Sequence, residues 1–291
     1  MIAPTPDTPN ISITVTQALA QAAALGIARI DAQMLLLHLF GQPTHARAWL
    51  ITHDGDCLSS AQSSQWQQWL QRRADGEPVA YLTGHKGFYG LDLAVDARVL
   101  DPRPDTETLV DWALELLLDV APGQPPLRLA DLGTGSGAIA LALQQARPKA
   151  EVWAVDTSTD ALAVAQANAA RLQLPVRFAH SHWLSALQGP FDAIVSNPPY
   201  IRDDDPHMPA LRHEPRQALT SGADGLDDIR HIIGTAPAYL REGAWLLIEH
   251  GWDQAEDLRA LLAQRGFTQV QSRKDLAGID RASGGQWASV K

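Results

Sequence analysis

Asn197-Pro198-Pro199-Tyr200 is the segment of this chain best equipped to do chemistry. It follows an apolar run, Phe191–Ser196, that reads as a buried strand, so it stands where a parallel strand ends and a loop opens. That is where open α/β sheets hold their ligands. The Asn197 side-chain oxygen and the Pro198 carbonyl are two acceptors suited to one flat NH2 group. As such a nitrogen is alkylated it gains positive charge, and acceptors aimed at its N–H groups strengthen in the transition state. Consecutive prolines fix φ and stiffen the corner. Tyr200 can lay its ring against a planar target.

A second strand end lies upstream, at Asp131-Leu-Gly-Thr-Gly-Ser-Gly137. The run Gly133, Thr134, Gly135, Ser136, Gly137 opens a helix and lets a ligand approach the backbone. The next strand ends in Asp156, 19 positions past Gly137, a spacing that suits a carboxylate receiving ribose hydroxyls. A bare tight turn, with Asp156 capping the following helix, is the plainer reading of the same residues. The glycines do not fall as Gly-x-Gly-x-x-Gly, and Asp131 would repel a pyrophosphate. A cationic methyl donor such as S-adenosylmethionine therefore fits better than a dinucleotide.

These strand ends need a sheet to carry them. From Leu127 onward the pattern is βαβ. Strands are predicted at 127–131, 151–156, 176–179, 191–196, 244–249, 268–272 and 286–290, with helices at 138–147, 159–172, 227–239 and 253–265. Such alternation implies a mostly parallel seven-stranded sheet covered on both faces, a Rossmann-like architecture. The last two strands, with no helix between them, predict an antiparallel hairpin at the sheet edge. The expected division is a helical domain over 1–75, a β-hairpin linker over 76–101 and a catalytic domain over 102–291. Helices are predicted at 15–25, 31–40 with Asp31 as cap, 44–51, and from Ser59 or Ser60 to Arg73. Asp105 is the expected N-cap of a helix over 108–118.

Composition narrows the class. The chain has 291 residues, 45% of them hydrophobic, enough for a sizeable core. Its 23 Lys and Arg against 33 Asp and Glu leave a net charge of −10. That disfavours a phosphate backbone as the main partner and suits a small molecule or a basic protein surface. A single cysteine, Cys57, excludes a disulfide framework and a multi-cysteine metal site, and points to a reducing compartment. No signal peptide and no membrane-spanning run are read, so a cytoplasmic protein is expected, without a metal and as a monomer. His213-Glu214 lacks the second histidine of a zincin. His180 and His182 read as a strand end, Asp203-Asp204-Asp205 as a solvated loop. Of nine tryptophans only Trp183 reads as a pocket residue.

The chain resembles the release factor glutamine methyltransferases, the PrmC/HemK family. The resemblance rests on Pro78–Gly84, Pro102-Arg-Pro-Asp-Thr-Glu107, Asp131–Gly137, Ser196-Asn-Pro-Pro-Tyr-Ile201 and Glu249-His-Gly251. It implies methyl transfer from S-adenosylmethionine to the side-chain amide (N5) of the glutamine in the Gly-Gly-Gln motif of peptide-chain release factors. Cofactor contacts are implied at Gly133 to Gly137, Asp156, Trp183 and Asn197, and target contacts at Asn197, Pro198, Pro199 and Tyr200. The helical part would help hold the release factor. Two positions depart from the family pattern: Asp101 replaces an apolar residue and His182 an acidic one. An amino-methyltransferase acting on adenine N6 or cytosine N4 shares the Asn-Pro-Pro-aromatic logic but predicts a basic groove. A non-catalytic adaptor would not need Asn197 and Tyr200, and a dinucleotide oxidoreductase is disfavoured by the glycine spacing. The tail also carries Gly284-Gly285-Gln286, read as a coincidence of a terminal strand or turn.

Overall fold

A computed structural model describes residues 13–117 and 123–288. The N-terminal stretch read as lacking a signal peptide, Leu118 of the predicted helix and the end of the last predicted strand (289–290) lie outside them. The chain divides in sequence at Gly84/His85 into two compact units.

The first unit is helical: α1 (Val15–Ala24), α2 (Arg29–Leu39), α3 (Arg47–Thr52), α4 (Ser60–Ala74) and α5 (Val79–Thr83). Thr14 and Ser59 start α1 and α4 with reciprocal capping boxes to Gln17 and Gln62, each contributing about 1 kcal/mol. Asp31 is not a cap. Helix α2 begins two residues earlier, after Ala28, and the Asp31 carboxylate instead meets Arg73 at 2.9 Å. Val15, Leu35, Leu36, Leu37, Trp66 and Leu70 form the core. The unit runs past the expected end at residue 75, because Val79–Thr83 adds a fifth helix, closed by Gly84 with φ +75°.

The second unit opens with the hairpin β1 (His85–Phe88) and β2 (Leu91–Ala94). The hairpin is not a free linker. Its Ala94 N–H and C=O both bond the buried Asn168 side chain, at 2.8 and 2.9 Å, which fastens it to α8 (Thr159–Leu172). A short 3-10 turn, Pro104–Thr106, then leads into α6 (Glu107–Leu116). Asp105 lies inside that turn and does not cap the helix; its carboxylate pairs with Arg281 at 3.5 Å.

The sheet orders its strands β5-β4-β3-β6-β7-β9-β8: β3 (Arg128–Leu132), β4 (Glu151–Asp156), β5 (Arg177–His180), β6 (Phe191–Ser196), β7 (Leu240–Glu249), β8 (Phe267–Lys274) and β9 (Asp280–Trp287). The first five are parallel. β9 inserts antiparallel between β7 and the edge strand β8. Helices α7 (Ala138–Ala146), α9 (Asp227–Thr235) and α10 (Ala255–Arg265) accompany α6 and α8. The central strands bury nearly every residue, as strands covered on both faces must. The order reverses direction between β3 and β6, so the crevice beyond their carboxyl ends is the topological switch point.

β9 begins six residues before the strand predicted at 286. Gly284 and Gly285 lie within it: a Cβ at Gly284 would stand 2.5 Å from the Leu246 carbonyl and 2.9 Å from Trp112. Both ends of the Gln286 amide are engaged, Nε2 with the Gly243 carbonyl at 2.8 Å and Oε1 with Gln269 at 2.7 Å. The tail Gly-Gly-Gln is thus explained by strand packing.

Candidate active site

The site is built from five strand ends and one turn. Beyond β3, Gly133 and Gly135 take φ of +70° and +54°. Nothing lies within 4 Å of a Cβ built on Gly135, so a ligand can approach the backbone there. A Cβ on Gly133 would stand 3.3 Å from Trp183. The loop is held from outside: Thr134 N–H donates to the Val155 carbonyl at 2.9 Å, and Gly135 N–H donates to Asp156 Oδ2 at 2.9 Å.

Asp156, at the end of β4, also accepts from Ser158 N–H at 2.8 Å. Ser158, not Asp156, caps α8. Burial raises the Asp156 pKa, opposed by these backbone donors. Each carboxylate oxygen has two acceptor sites, so Asp156 retains capacity for a ligand hydroxyl while bracing the loop.

Gly133, Gly135, Asp156, Trp183, Asn197 and Pro199 line one open cleft. Thr134, Ser136 and Gly137, also expected to touch a cofactor, do not line it. The Thr134 hydroxyl donates to Asp131 Oδ2 at 2.6 Å; the buried Ser136 passes its carbonyl to Asn168 at 3.0 Å; Gly137 starts α7 in a left-handed conformation. They shape the loop from behind. Thr157, Ser158 and Ser181 join the lining; their small polar types in loop positions gave no sequence signal. Trp183 holds φ +51°, a costly conformation for a bulky residue and the kind of strain that gathers at ligand sites. Its indole Nε1 is buried without a partner.

Two observations test whether a nucleoside with a cationic tail suits this cleft. Trp183 Nε1 and Asp131 Oδ1 are both buried and unpartnered, and the glycine loop leaves open space. The chemistry of the residues present therefore fits S-adenosylmethionine. Desolvation pushes Asp131 up to about 7, which a nearby cation would reverse.

Beyond β6 the Ser196 hydroxyl donates to the Leu132 carbonyl at 2.8 Å, tying the ends of β6 and β3 together just before Asn197. The Asn197 Nδ2 donates to Thr106 Oγ1 at 3.3 Å, which turns its Oδ1 the other way. Tyr200 packs on the main core, and its hydroxyl lies 3.5 Å from Glu249 Oε1; burial, then Glu249, raises its pKa. The corner is anchored further by Leu219, whose carbonyl receives Tyr200 N–H and Ile201 N–H, and by Gln254, whose Nε2 donates to the Tyr200 carbonyl at 3.0 Å. Pro198 and Tyr200 do not line this cleft; they stand beside it. Thr106 and Glu249 sit among the site residues although their sequence segments were quoted only as motif. The signal for Glu249 was its place, the last residue of a strand parallel to β6.

The two departures are accommodated. Asp101 is buried but meets Lys86 at 2.9 Å and Arg103 at 3.5 Å, while Arg103 also binds the buried Glu214. His182 packs edge-on against His231 and Trp183 and lines the cleft. His180 ends β5 and contacts the Thr157 carbonyl at 2.8 Å. Among the described residues no cluster has the makings of a metal site, and no helix is long and apolar enough to cross a membrane.

Comparison with known proteins finds one family match within each unit. Residues 13–84 match the PrmC N-terminal domain and residues 106–224 the methyltransferase small domain. The chain is 49% identical over 264 residues to the release factor glutamine methyltransferase of Bordetella pertussis, covering 89% of this chain and 95% of that one. It is 48% identical over 273 residues to the release factor glutamine methyltransferase of Xylella fastidiosa strain 9a5c, covering 92% and 97%. Among solved structures, a methyltransferase from Pyrococcus furiosus superposes with a TM-score of 0.53 at 18% identity, covering 78% of this chain and 100% of that one, a likeness of fold.

Proposed function

The chain belongs to the release factor glutamine methyltransferases, and from that membership we propose that it methylates the side-chain amide nitrogen (N5) of the glutamine in the Gly-Gly-Gln motif of a peptide-chain release factor. S-adenosylmethionine, when bound, supplies a methyl group already activated on a sulfonium. The enzyme's own task is to bring a weakly nucleophilic amide nitrogen into line with it.

In this reading Gly133, Gly135, Asp156 and Trp183 hold the cofactor, with Thr134, Ser136 and Gly137 supporting the loop and Asn197 bordering it. Asn197 Oδ1 and the Pro198 carbonyl accept the two N–H groups of the target amide and stabilise the charge that grows there. Pro199 stiffens the corner, and Tyr200 offers its ring to the planar group. The helical unit helps hold the release factor. The net charge of −10 suits a basic protein segment. It also disfavours nucleic acid as the substrate, the alternative being an adenine or cytosine amino-methyltransferase. We place the enzyme in the cytoplasm as a monomer.

The observation that carries the reading is the Asn197 amide, fixed by Thr106 with its oxygen left available beside the cleft that Gly133, Asp156 and Trp183 line. The test is incubation with isotope-labelled S-adenosylmethionine and a purified release factor, in parallel with the same factor lacking the Gly-Gly-Gln glutamine and with nucleic acid. Label is expected only in the intact factor. Label in nucleic acid, or in the factor without that glutamine, rejects the proposal.

A further inference from the structure

We infer that Thr106 and Glu249 form a directional hydrogen-bond relay that fixes which end of the Asn197 amide faces the substrate, making both of them positioning residues. The inference rests on the methyl transfer proposed above.

The two ends of an asparagine amide have nearly the same shape and opposite hydrogen-bonding character. If Asn197 turned over, it would present N–H groups to the N–H groups of the target and repel it. Something must therefore hold the amide the right way round. Its only hydrogen bond among the described residues is Nδ2 to Thr106 Oγ1, at 3.3 Å. A threonine hydroxyl carries a single hydrogen. Aimed at Asn197, that hydrogen would select the amide oxygen, the wrong end. Aimed elsewhere, it leaves a lone pair that selects the amide NH2. The destination of one proton thus sets the orientation.

Glu249 supplies the destination. It ends β7 directly beside the end of β6, with Ile248 in register with Ser196. Its Oε2 is buried and has no hydrogen-bond partner among the described residues. The Thr106 hydroxyl, 3% exposed as a residue, favours the ionised form of this acid, and no acceptor takes its hydrogen among the described residues. A buried donor and a buried acceptor, each otherwise unsatisfied, are each other's natural partner. A carboxylate carries no hydrogen and can only accept, so ionised Glu249 fixes the sense of the relay. The Tyr200 hydroxyl approaches the other oxygen at 3.5 Å. One carboxylate therefore gathers both ends of Asn197–Tyr200. The Asn197–Thr106 and Tyr200–Glu249 contacts, at 3.3 and 3.5 Å, are long, as catalytic hydrogen bonds often are before substrate closes the site.

The charged groups facing Glu249 are few. Arg281 on β9 favours its ionised form, and Asp105 in the turn before α6 opposes it. Arg281 itself is shared with Asp105 and Asp275, at 3.5 and 3.1 Å. Burial outweighs Arg281, and Glu249 is pushed up to about 7. Below that pH the acid brings its own hydrogen and the relay loses its direction. The relay also accounts for two motifs 91 residues apart occurring together: Thr106 belongs to one and Asn197 to the other.

The test uses Thr106→Val, Thr106→Ser and Glu249→Gln, each assayed as the full chain on a release factor with saturating S-adenosylmethionine, from about pH 5.5 to 8.5. Thermal unfolding and cofactor affinity by calorimetry are measured alongside. Thr106→Val is expected to lose about tenfold in kcat, with cofactor affinity and KM for the release factor within about threefold of the parent. Thr106→Ser should restore kcat. The parent's kcat should fall below about pH 7, and Glu249→Gln, which cannot titrate, should lose that fall. A Thr106→Val enzyme with parental kcat, a Thr106→Ser enzyme as impaired as Thr106→Val, or a Glu249→Gln profile superimposable on the parent's overturns the inference. A parent that transfers nothing to the release factor instead removes the proposed function, and the relay with it, so the two failures are distinguishable.

Discussion

At the scale of single residues, the account turns on Asn197 and Asp156, which do different work. Asn197 acts on charge that appears only as the new bond forms. Asn197→Ala is therefore expected to lower kcat on the order of 10²-fold with near-parental cofactor affinity by calorimetry. Near-parental turnover would remove its role. Asp156 faces the cleft but also braces Gly135 and Ser158. Asp156→Ala should weaken cofactor binding by about 1–3 kcal/mol, and unchanged affinity would show that it serves the loop alone. Much of this was legible from residue types, because a glycine run and an Asn-Pro-Pro corner carry their chemistry locally. The division inside the glycine run was not. Thr134 and Ser136 have ligand-like side chains, yet the Thr134 hydroxyl is turned inward by Asp131 and Ser136 is buried with its backbone carbonyl held by Asn168, partners that the motif itself does not specify.

At the scale of elements, periodicity decided what could be read. The bounds of β4, β6 and α8 follow from uninterrupted apolar patterning, and the structure matches the sequence expectation for all three. Caps were read less well. Asp31 and Asp105 stand near helix starts, as caps do, but each is drawn to an arginine distant in sequence, Arg73 and Arg281. Gly284-Gly285 read as either strand or turn, because local composition cannot report that Leu246 and Trp112 leave no room for a Cβ. The loop after Tyr200 carries Asp203, Asp204 and Asp205, mostly exposed, with Asp205 engaged by His207 at 2.9 Å. If this loop draws a basic substrate toward the corner, changing all three to Asn raises KM at low salt, and the difference shrinks as salt is added. A salt-independent effect would reject steering.

At the scale of the whole molecule, two buried acids should leave a mark on stability. Asp131 and Glu249 both sit near 7 in the folded chain, chiefly through desolvation, against about 4 when unfolded. The folded state therefore holds protons that the unfolded state has released between about pH 4 and 7. Stability contributed by these groups falls across that window as pH rises, and levels off above it. Glu249→Gln should lose part of the fall in unfolding temperature between about pH 5 and 8; a fall as large as the parent's would contradict the burial argument. The net charge of −10 and the methyltransferase architecture were both visible before the structure, whereas the end of the helical unit at Gly84 was not, since Val79–Thr83 is too short for periodicity to identify. The central claim is that this molecule presents one planar amide nitrogen to an activated methyl group. Its most direct test is fragment-ion mass spectrometry of the Gly-Gly-Gln peptide from a release factor incubated with the enzyme and S-adenosylmethionine. The account predicts one added methyl group on the side-chain nitrogen of that glutamine. An unmodified glutamine, or a methyl group on another residue of the factor, would contradict it.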